Sequence, residues 1–537
     1  MTSDQRPTIK SPRGTRDLLP PDTALWNFVE AAVRDVFRAY NFHEIRTPIF
    51  ESTELFARGV GEETDIVTKE MFIWYDGRDA GIALENAWFG KYPEREWFKR
   101  VPLGGVKTRG LPDFVLTDGK SIFVVEIRLE ATPATLDRLG AFSDHIVSLY
   151  KQKPRLVLVL PKEIHVSQSF RDQAERQGIE LEEFDVDLPE SLTLRPENTA
   201  GVVRAYIQHD LAKRGLNKLF YIGPQFRRER PQKGRYRQFY QIGAEVIGPA
   251  SAGSERPLRD AEVLEMLDTL LRRLGIVDFT LHINSVGDSE DRAKYNEALR
   301  RALEPVVASM CTDCQRRAVT NPLRVFDCKV PEDQPIIQTL PLISNYLSEK
   351  SRDHFENVQA LLRKVEVPFE VNHRLVRGLD YYTRTAFEFT HGALGAQNAI
   401  LGGGRYDGLA ELLGSPQPAP GIGFAIGEDR LVMVLQGRTS ETVHGVDAYI
   451  APVGERMNRN ALRLARDLRR EGLVIELGDR SFRLKKMFEI AAKLGAKYIL
   501  IVGENEVAAD AFALKHLASG EQVTVPRAEL AQRILRK

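Results

Sequence analysis

Between Gln225 and Arg237 the chain reads QFRRERPQKGRYR, with six basic side chains and one acidic one in thirteen residues. Arginine forks match phosphate oxygens in a bidentate way that lysine does not, so a loop this basic can clamp a polyphosphate. Alone, such a run is a solvated charged loop, and its company decides its meaning. Gly402-Gly403-Gly404 could pass for a nucleotide loop, but no Gly-Lys-Ser/Thr follows. That excludes a P-loop and leaves close backbone packing beneath a ligand. Cys311, Cys314 and Cys328 offer three thiols with no evident fourth donor. Structural zinc takes four ligands, so free thiols are expected and no metal site is assigned.

These residues need elements to carry them. From Pro21 to Tyr40, Leu25, Phe28, Val29, Ala32, Val33, Val36, Phe37 and Tyr40 recur at helical spacing, with Asp22 or Thr23 as N-cap. An extended piece, Ile45 to Phe50, follows and is interrupted by Pro48, as suits a sheet edge or an interface. The basic loop joins strands expected at 219–223 and 239–248 without a crossover helix, which predicts antiparallel pairing. Further strands are expected at 191–195, 279–284, 383–389 and 398–402, and helices at 198–209, 260–274 and 427–435. Residues 75–190 differ in character: a turn-rich start at 75–81, strands at 121–129 and 155–160 around a helix, and an acidic end. They predict an inserted α/β domain. The core then comprises 1–74 and 191–440, with a helical insertion at about 300–365. Residues 446–537 alternate strand and helix in βαβαβ order, which predicts parallel pairs.

Composition narrows the class. The chain has 537 residues, 75 Lys+Arg against 75 Asp+Glu, 43% hydrophobic residues and three cysteines. This is a multidomain globular composition with neither a disulfide framework nor a tract apolar enough to span a membrane. A cytoplasmic protein is expected. Residues 446–537 carry 17 basic and 12 acidic residues, a surplus of five that suits an RNA backbone.

Several long motifs, in order, carry a resemblance. The basic run with Tyr240-Gln241-Ile242-Gly243-Ala244-Glu245 resembles motif 2 of class II aminoacyl-tRNA synthetases in its histidyl form. Ser191 to Gly201 (SLTLRPENTAG) resembles the amino-acid-binding strand of that family, and Val376 to Thr383 (VRGLDYYT) its histidine signature. Gly402 to Asp407 and Gly421 to Arg430 resemble the glycine-rich stretch and motif 3, and the first helix with Pro48 resembles motif 1. The resemblance covers 11–74 and 190–537. It implies an α+β fold: the class II antiparallel sheet flanked by helices, an inserted α/β domain, and a C-terminal α/β anticodon-binding domain at 446–537.

It also implies a reaction. Such enzymes form an aminoacyl-adenylate from ATP, with Mg²⁺, and transfer the amino acid to tRNA; here the amino acid would be L-histidine. Charge then grows on phosphate oxygens, which preformed cations stabilise. By similarity Arg227 would hold the α-phosphate, Glu229 and Arg235 would position ATP, Arg430 would meet its γ end, and Arg377 would be the catalytic arginine. Glu197, Thr199 and Gln241 would take the ammonium, while Glu245 and Tyr382, backed by Tyr381, would take the imidazole. One departure is Asn198, where the bacterial family usually has Gly. A homodimer is implied through motif 1.

The insertion carries its own pattern. Asp118-Gly119 reads as a two-residue hairpin turn pairing Thr117 with Lys120 and Asp113 with Val124. Asp113, Glu126 and Arg128 then share a face, and Pro112-Asp113 with Glu126-Ile127-Arg128 resembles the PD-(D/E)xK nuclease fold. Arg128 stands where a lysine belongs, and its proton is never released, so a degenerate nuclease-like domain is expected. Two rivals compete with a complete ligase. A non-catalytic regulatory paralogue, like the synthetase-like subunit of ATP phosphoribosyltransferase, typically lacks the motif arginines and the anticodon unit kept here. A nucleic-acid-processing fusion is weakened by Arg128.

Overall fold

Strand-forming runs at Lys218–Phe226 and Gln238–Ile247 pair antiparallel in unbroken register from Lys218 opposite Val246 to Phe226 opposite Gln238. They seed an eight-stranded sheet. In the computed structural model, which describes residues 9–61, 64, 66–75, 78–91, 99–100, 112–129, 131–162, 164, 166–186, 191–232, 234–395, 398–436 and 445–535, its strands are β1 (His43–Glu44), β2 (Lys218–Phe226), β3 (Gln238–Ile247), β4 (Phe279–Ser285), β5 (Glu370–Val371), β6 (Thr383–His391), β7 (Ala399–Arg405) and β8 (Gly421–Gly427). Their order is β1-β2-β3-β8-β7-β6-β4-β5, antiparallel except for the short edge strands. The chain divides into two compact units, 1–17 with 29–435, and 18–28 with 436–537.

Alternation along the strands gives the sheet two faces. Behind it, Phe37 of the first helix (Asp22–Ala39) meets Phe220 and Phe424 edge-on, with ring centroids 5.4 and 5.9 Å apart. The front face holds the cleft described below. The run 421–427, expected only as a glycine-rich approach to a helix, is a central strand. Glycine lowers strand propensity, but pairing on both sides overrides it. At the end of β7 Arg405, fully shielded from solvent, donates to Asp260 and, at 2.8 Å, to Asp407. Asp260 also accepts from Thr385 (2.5 Å) and bonds His354 (2.8 Å). This network joins the helices Pro257–Arg273 and Glu349–Lys364 to β6 and β7.

A smaller sheet places Ser191–Leu194 between Phe50–Ser52 and Phe72–Tyr75. Just beyond it, buried Arg195 donates to the carbonyls of Pro224 (3.0 Å) and Thr47 (2.9 Å), which fixes where the 196–201 segment enters the cleft.

Within residues 75–190, which fall in the same compact unit as the large sheet, strands at 99–100, 114–117, 122–127, 155–161 and 179–184 form one sheet in that order, two antiparallel pairings followed by two parallel ones. The hairpin register differs from expectation: Thr117 faces Ile122 and Val115 faces Val124. The cause is local, since Asp118 Oδ1 accepts from the amides of both Lys120 and Ser121, which enlarges the turn to four residues. The stretch expected to be turn-rich holds a helix, Arg78–Lys91, that buries Leu84 and Trp88 one turn apart; residues 76–77 lie outside the described residues. In the other unit the three expected strands are parallel, and two unforeseen ones, Ala511–His516 and Gln522–Pro526, extend that sheet antiparallel.

Truncating Asp260 to Ala would leave buried Arg405 without one of its two carboxylate partners. A loss of about 3 kcal/mol is expected, read as a lower denaturant midpoint, with a smaller loss for Asp260→Asn.

Candidate active site

Across five adjacent strands the front face carries Tyr221, Gly243, Ala425, Gly402 and Glu388, each opposite the next. The middle three have almost no side chain, so a trough runs between an aromatic wall and a carboxylate. Above it lies a cleft of about 330 Å³. Arg227, Arg377 and Arg430, which belong to distant parts of the sequence, all line it, as do Glu197, Thr199, Glu229, Arg235, Gln241, Tyr381 and Tyr382.

The guanidinium of Arg377 occupies the trough. It donates to Glu388 Oε1 at 2.8 Å, and a Cβ added to Gly402 would lie 2.5 Å from its nitrogens. Arg227 Nε donates to Pro196 O (2.9 Å), and its guanidinium lies 5.3 Å from the Phe239 ring centroid. Arg235 pairs with Glu229 at 2.8 Å. Arg430 donates to Ala399 O at 2.9 Å, and burial with the nearby Arg235 and Arg227 lowers its pKa. Crowded cations of this kind form a preorganised anion site. Lys233, in the same loop, lies outside the described residues.

Beside the arginines is a recess lined by buried carboxyl groups. Glu245 is fully buried and accepts from Thr199 Oγ1 (2.7 Å) and Tyr406 OH (2.5 Å). Its neighbour across β8 is Gly423, where a Cβ would lie 1.7 Å from Glu245 Oε2, so only glycine leaves room for the carboxylate. Burial pushes the Glu245 carboxyl up to about 8, against the two hydroxyl donors and with help from Glu197. Glu197 is also raised by burial, although it accepts from the amides of Thr199 (2.7 Å) and Ala200 (3.0 Å) at the start of the helix Thr199–Gln208. Tyr381 and Tyr382 stack obliquely at 4.7 Å. Asn198 caps that helix at φ −122°, an ordinary value for a residue with a side chain, and accepts from Thr47 Oγ1 at 2.6 Å. The Gly-to-Asn departure therefore leaves the backbone unstrained.

Three contributors escaped the sequence. Glu388, the partner of Arg377, is one acid in an ordinary strand. Tyr221 and Tyr406 wall the recess, and only their register across from Gly243 and Gly421 reveals it.

Within residues 75–190, Asp113, Glu126 and Arg128 do meet. Asp113 accepts from Arg128 at 2.9 Å, and Glu126, buried, is gripped by Arg128 and Arg138. Arginines hold both carboxylates, where a nuclease would hold a cation. The three cysteines form no disulfide, and the expected lack of a fourth donor is corrected: Asp333 lies beside them.

The sheet and cleft define a class II aminoacyl-tRNA synthetase core, and the comparisons narrow it. The sequence model "Histidyl-tRNA synthetase" matches residues 158–431, and "Anticodon binding domain" matches 447–537. Histidine--tRNA ligase of Koribacter versatilis is 55% identical over 97% of this chain and 95% of its own length; that of Solibacter usitatus is 47% identical over 98% and 99%. Apo histidyl-tRNA synthetase of S. aureus superposes with a TM-score of 0.64 at 30% identity, covering 98% of this chain and 100% of its own. The chain belongs to the histidyl-tRNA synthetase family.

The raised Glu245 has a sign that can be checked. Its folded pKa lies above the ordinary 4.5, so the native state favours the protonated form, and stability is lost as pH rises from about 4.5 to about 8. Glu245→Gln, always neutral, should melt progressively higher than the native ligand-free chain across that window, with the gap levelling off above it. Its histidine affinity should fall by about 10²-fold by titration.

Proposed function

We propose that this chain is a histidine–tRNA ligase that activates L-histidine with ATP and esterifies it to the 3′ end of its tRNA. What supports this is the meeting, in one cleft, of Arg227, Arg377 and Arg430 with Glu197 and Thr199, whose hydroxyl donates to the buried Glu245 just behind. The histidine carboxylate attacks the α-phosphorus, the bond to the bridging oxygen breaks, and pyrophosphate leaves. Arg377 spans the attacking carboxylate and the α-phosphate. Arg227 takes the opposite α-phosphate oxygen, and Arg430 takes the γ end of the departing pyrophosphate. Glu229 and Arg235 act as a pair that orients ATP. These cations are already in place, so no reorganisation is needed as charge develops.

Glu197, Thr199 and Gln241 receive the ammonium. Glu245 and Tyr382, with Tyr381 behind, receive the ring, since a polar recess left unpaired by a wrong side chain rejects it strongly. A terminal adenosine hydroxyl of the tRNA then attacks the adenylate carbonyl and releases AMP. Mg²⁺ enters with the nucleotide. Glu229 and Glu388 are the carboxylates beside the phosphate side and both are paired with arginine, which fits an ion carried on phosphate oxygens and waters rather than in a protein cage.

The unit from 446 onwards contacts the anticodon end, in keeping with its family match and its basic surplus. Ile49, Phe50 and Trp74 leave an exposed apolar patch by the motif 1 segment, which supports a homodimer. Among the described residues no helix is long and apolar enough to cross a membrane, and we place the enzyme in the cytoplasm. The arginine-bound carboxylates of the insertion support no cleavage role for it.

Histidine alone among the amino acids should drive exchange of labelled pyrophosphate into ATP. Arg377→Ala should slow that exchange by about 10²- to 10³-fold. An undiminished rate would remove Arg377 from the chemistry.

A further inference from the structure

Away from the cleft, the helical insertion gathers four metal-ligating side chains that the ligase reaction does not use. Cys311 precedes the helix Thr312–Thr320, Cys314 lies in its first turn, Cys328 ends the turn Pro322–Asp327, and Asp333 ends the turn Pro331–Asp333. One donor atom from each lies within 4.8 Å of all the others. The sulfurs of Cys311 and Cys328 are 3.9 Å apart. In a tetrahedral zinc thiolate with bonds of about 2.3 Å, neighbouring sulfurs are about 3.8 Å apart. Cys328 Sγ is 3.2 Å from Asp333 Oδ2.

Two further features suit thiolates. The amide of Cys314 donates to Cys311 Sγ, and that of Val330 donates to Cys328 Sγ, both at 3.4 Å. Amides aimed at sulfur stabilise negative charge there and orient the ligand, as outer-shell donors do in metal sites. Asp333 is oriented too, accepting the amide of Cys311 at 3.2 Å. Cys314, Cys328 and Asp333 are buried while Cys311 is partly exposed, which leaves an ion a way in.

We propose that Cys311, Cys314, Cys328 and Asp333 form a structural site for a borderline-soft divalent cation, zinc first. Three thiolates and one carboxylate gathered in one cluster match zinc far better than magnesium or calcium, which take oxygen. Binding displaces the thiol protons and forms three metal–sulfur bonds. The site positions the catalytic segment without touching substrate. Between Cys314 and Cys328 the chain carries Asn321 and Arg324, which both donate to Asp380 Oδ1, at 3.0 and 3.1 Å. Asp380 lies between Arg377 and Tyr381, so an ion that pins this segment also steadies the histidine signature.

Full-length protein purified with reductant from zinc-supplemented cells should hold one zinc per chain by elemental analysis. Replacement with cobalt(II) should give intense thiolate-to-metal absorption and the visible bands of a tetrahedral ion. Cys328→Ser should lose both, and Asp333→Asn should keep the thiolate absorption, alter the visible bands and weaken zinc by at least about tenfold. Should Cys328→Ser fail to fold, chelator added to the native chain decides the same point, since one zinc must then be released to an indicator dye. Zinc far below one per chain with no thiolate absorption overturns the proposal, as does a Cys311–Cys328 disulfide in place of the metal. A cobalt spectrum untouched by Asp333→Asn overturns the four-ligand assignment. None of these measurements depends on ligase activity.

Discussion

The whole site depends on a strip of sheet that has almost nothing on it. Gly243, Ala425 and Gly402 lie side by side, and Gly423 lies across from Glu245. Any side chain on Gly402 would enter the space of the Arg377 guanidinium, and any on Gly423 that of the Glu245 carboxylate. The glycines are therefore not turn residues. Each holds a functional group at a distance that no Cβ permits.

Charge is managed by the same use of space. Two buried carboxylates, Glu197 and Glu245, sit beside three arginines, and each group is tied to a defined partner: a helix N-terminus for Glu197, two hydroxyls for Glu245, Glu388 for Arg377, main-chain carbonyls for Arg227 and Arg430. Ligands entering the cleft meet donors and acceptors already oriented. The supports are remote in sequence. Arg195 fixes the entry of the 196–201 segment, and Asn321 and Arg324 hold Asp380 beside the signature.

Sequence patterns revealed most of this where a motif carries its own chemistry. The basic hairpin, the signature and the amino-acid strand are all dense in unusual residues, and they converge on one cleft. What stayed hidden lacks local character. Strand 421–427 has three glycines in seven residues and reads as a loop, because its stability comes from neighbours on both sides. Glu388 and Asp333 are single acids whose meaning depends on what folds against them. The insertion hairpin slipped from its expected register because one aspartate side chain outcompeted a two-residue turn.

The bare strip can be tested by adding one methyl group. Gly402→Ala should leave the circular dichroism spectrum and tRNA binding unchanged while displacing Arg377, so that histidine-dependent pyrophosphate exchange drops by about 10²-fold, close to the loss from removing the arginine itself. Native exchange in Gly402→Ala, with the fold intact, would show that Arg377 does not need the trough and would contradict the account.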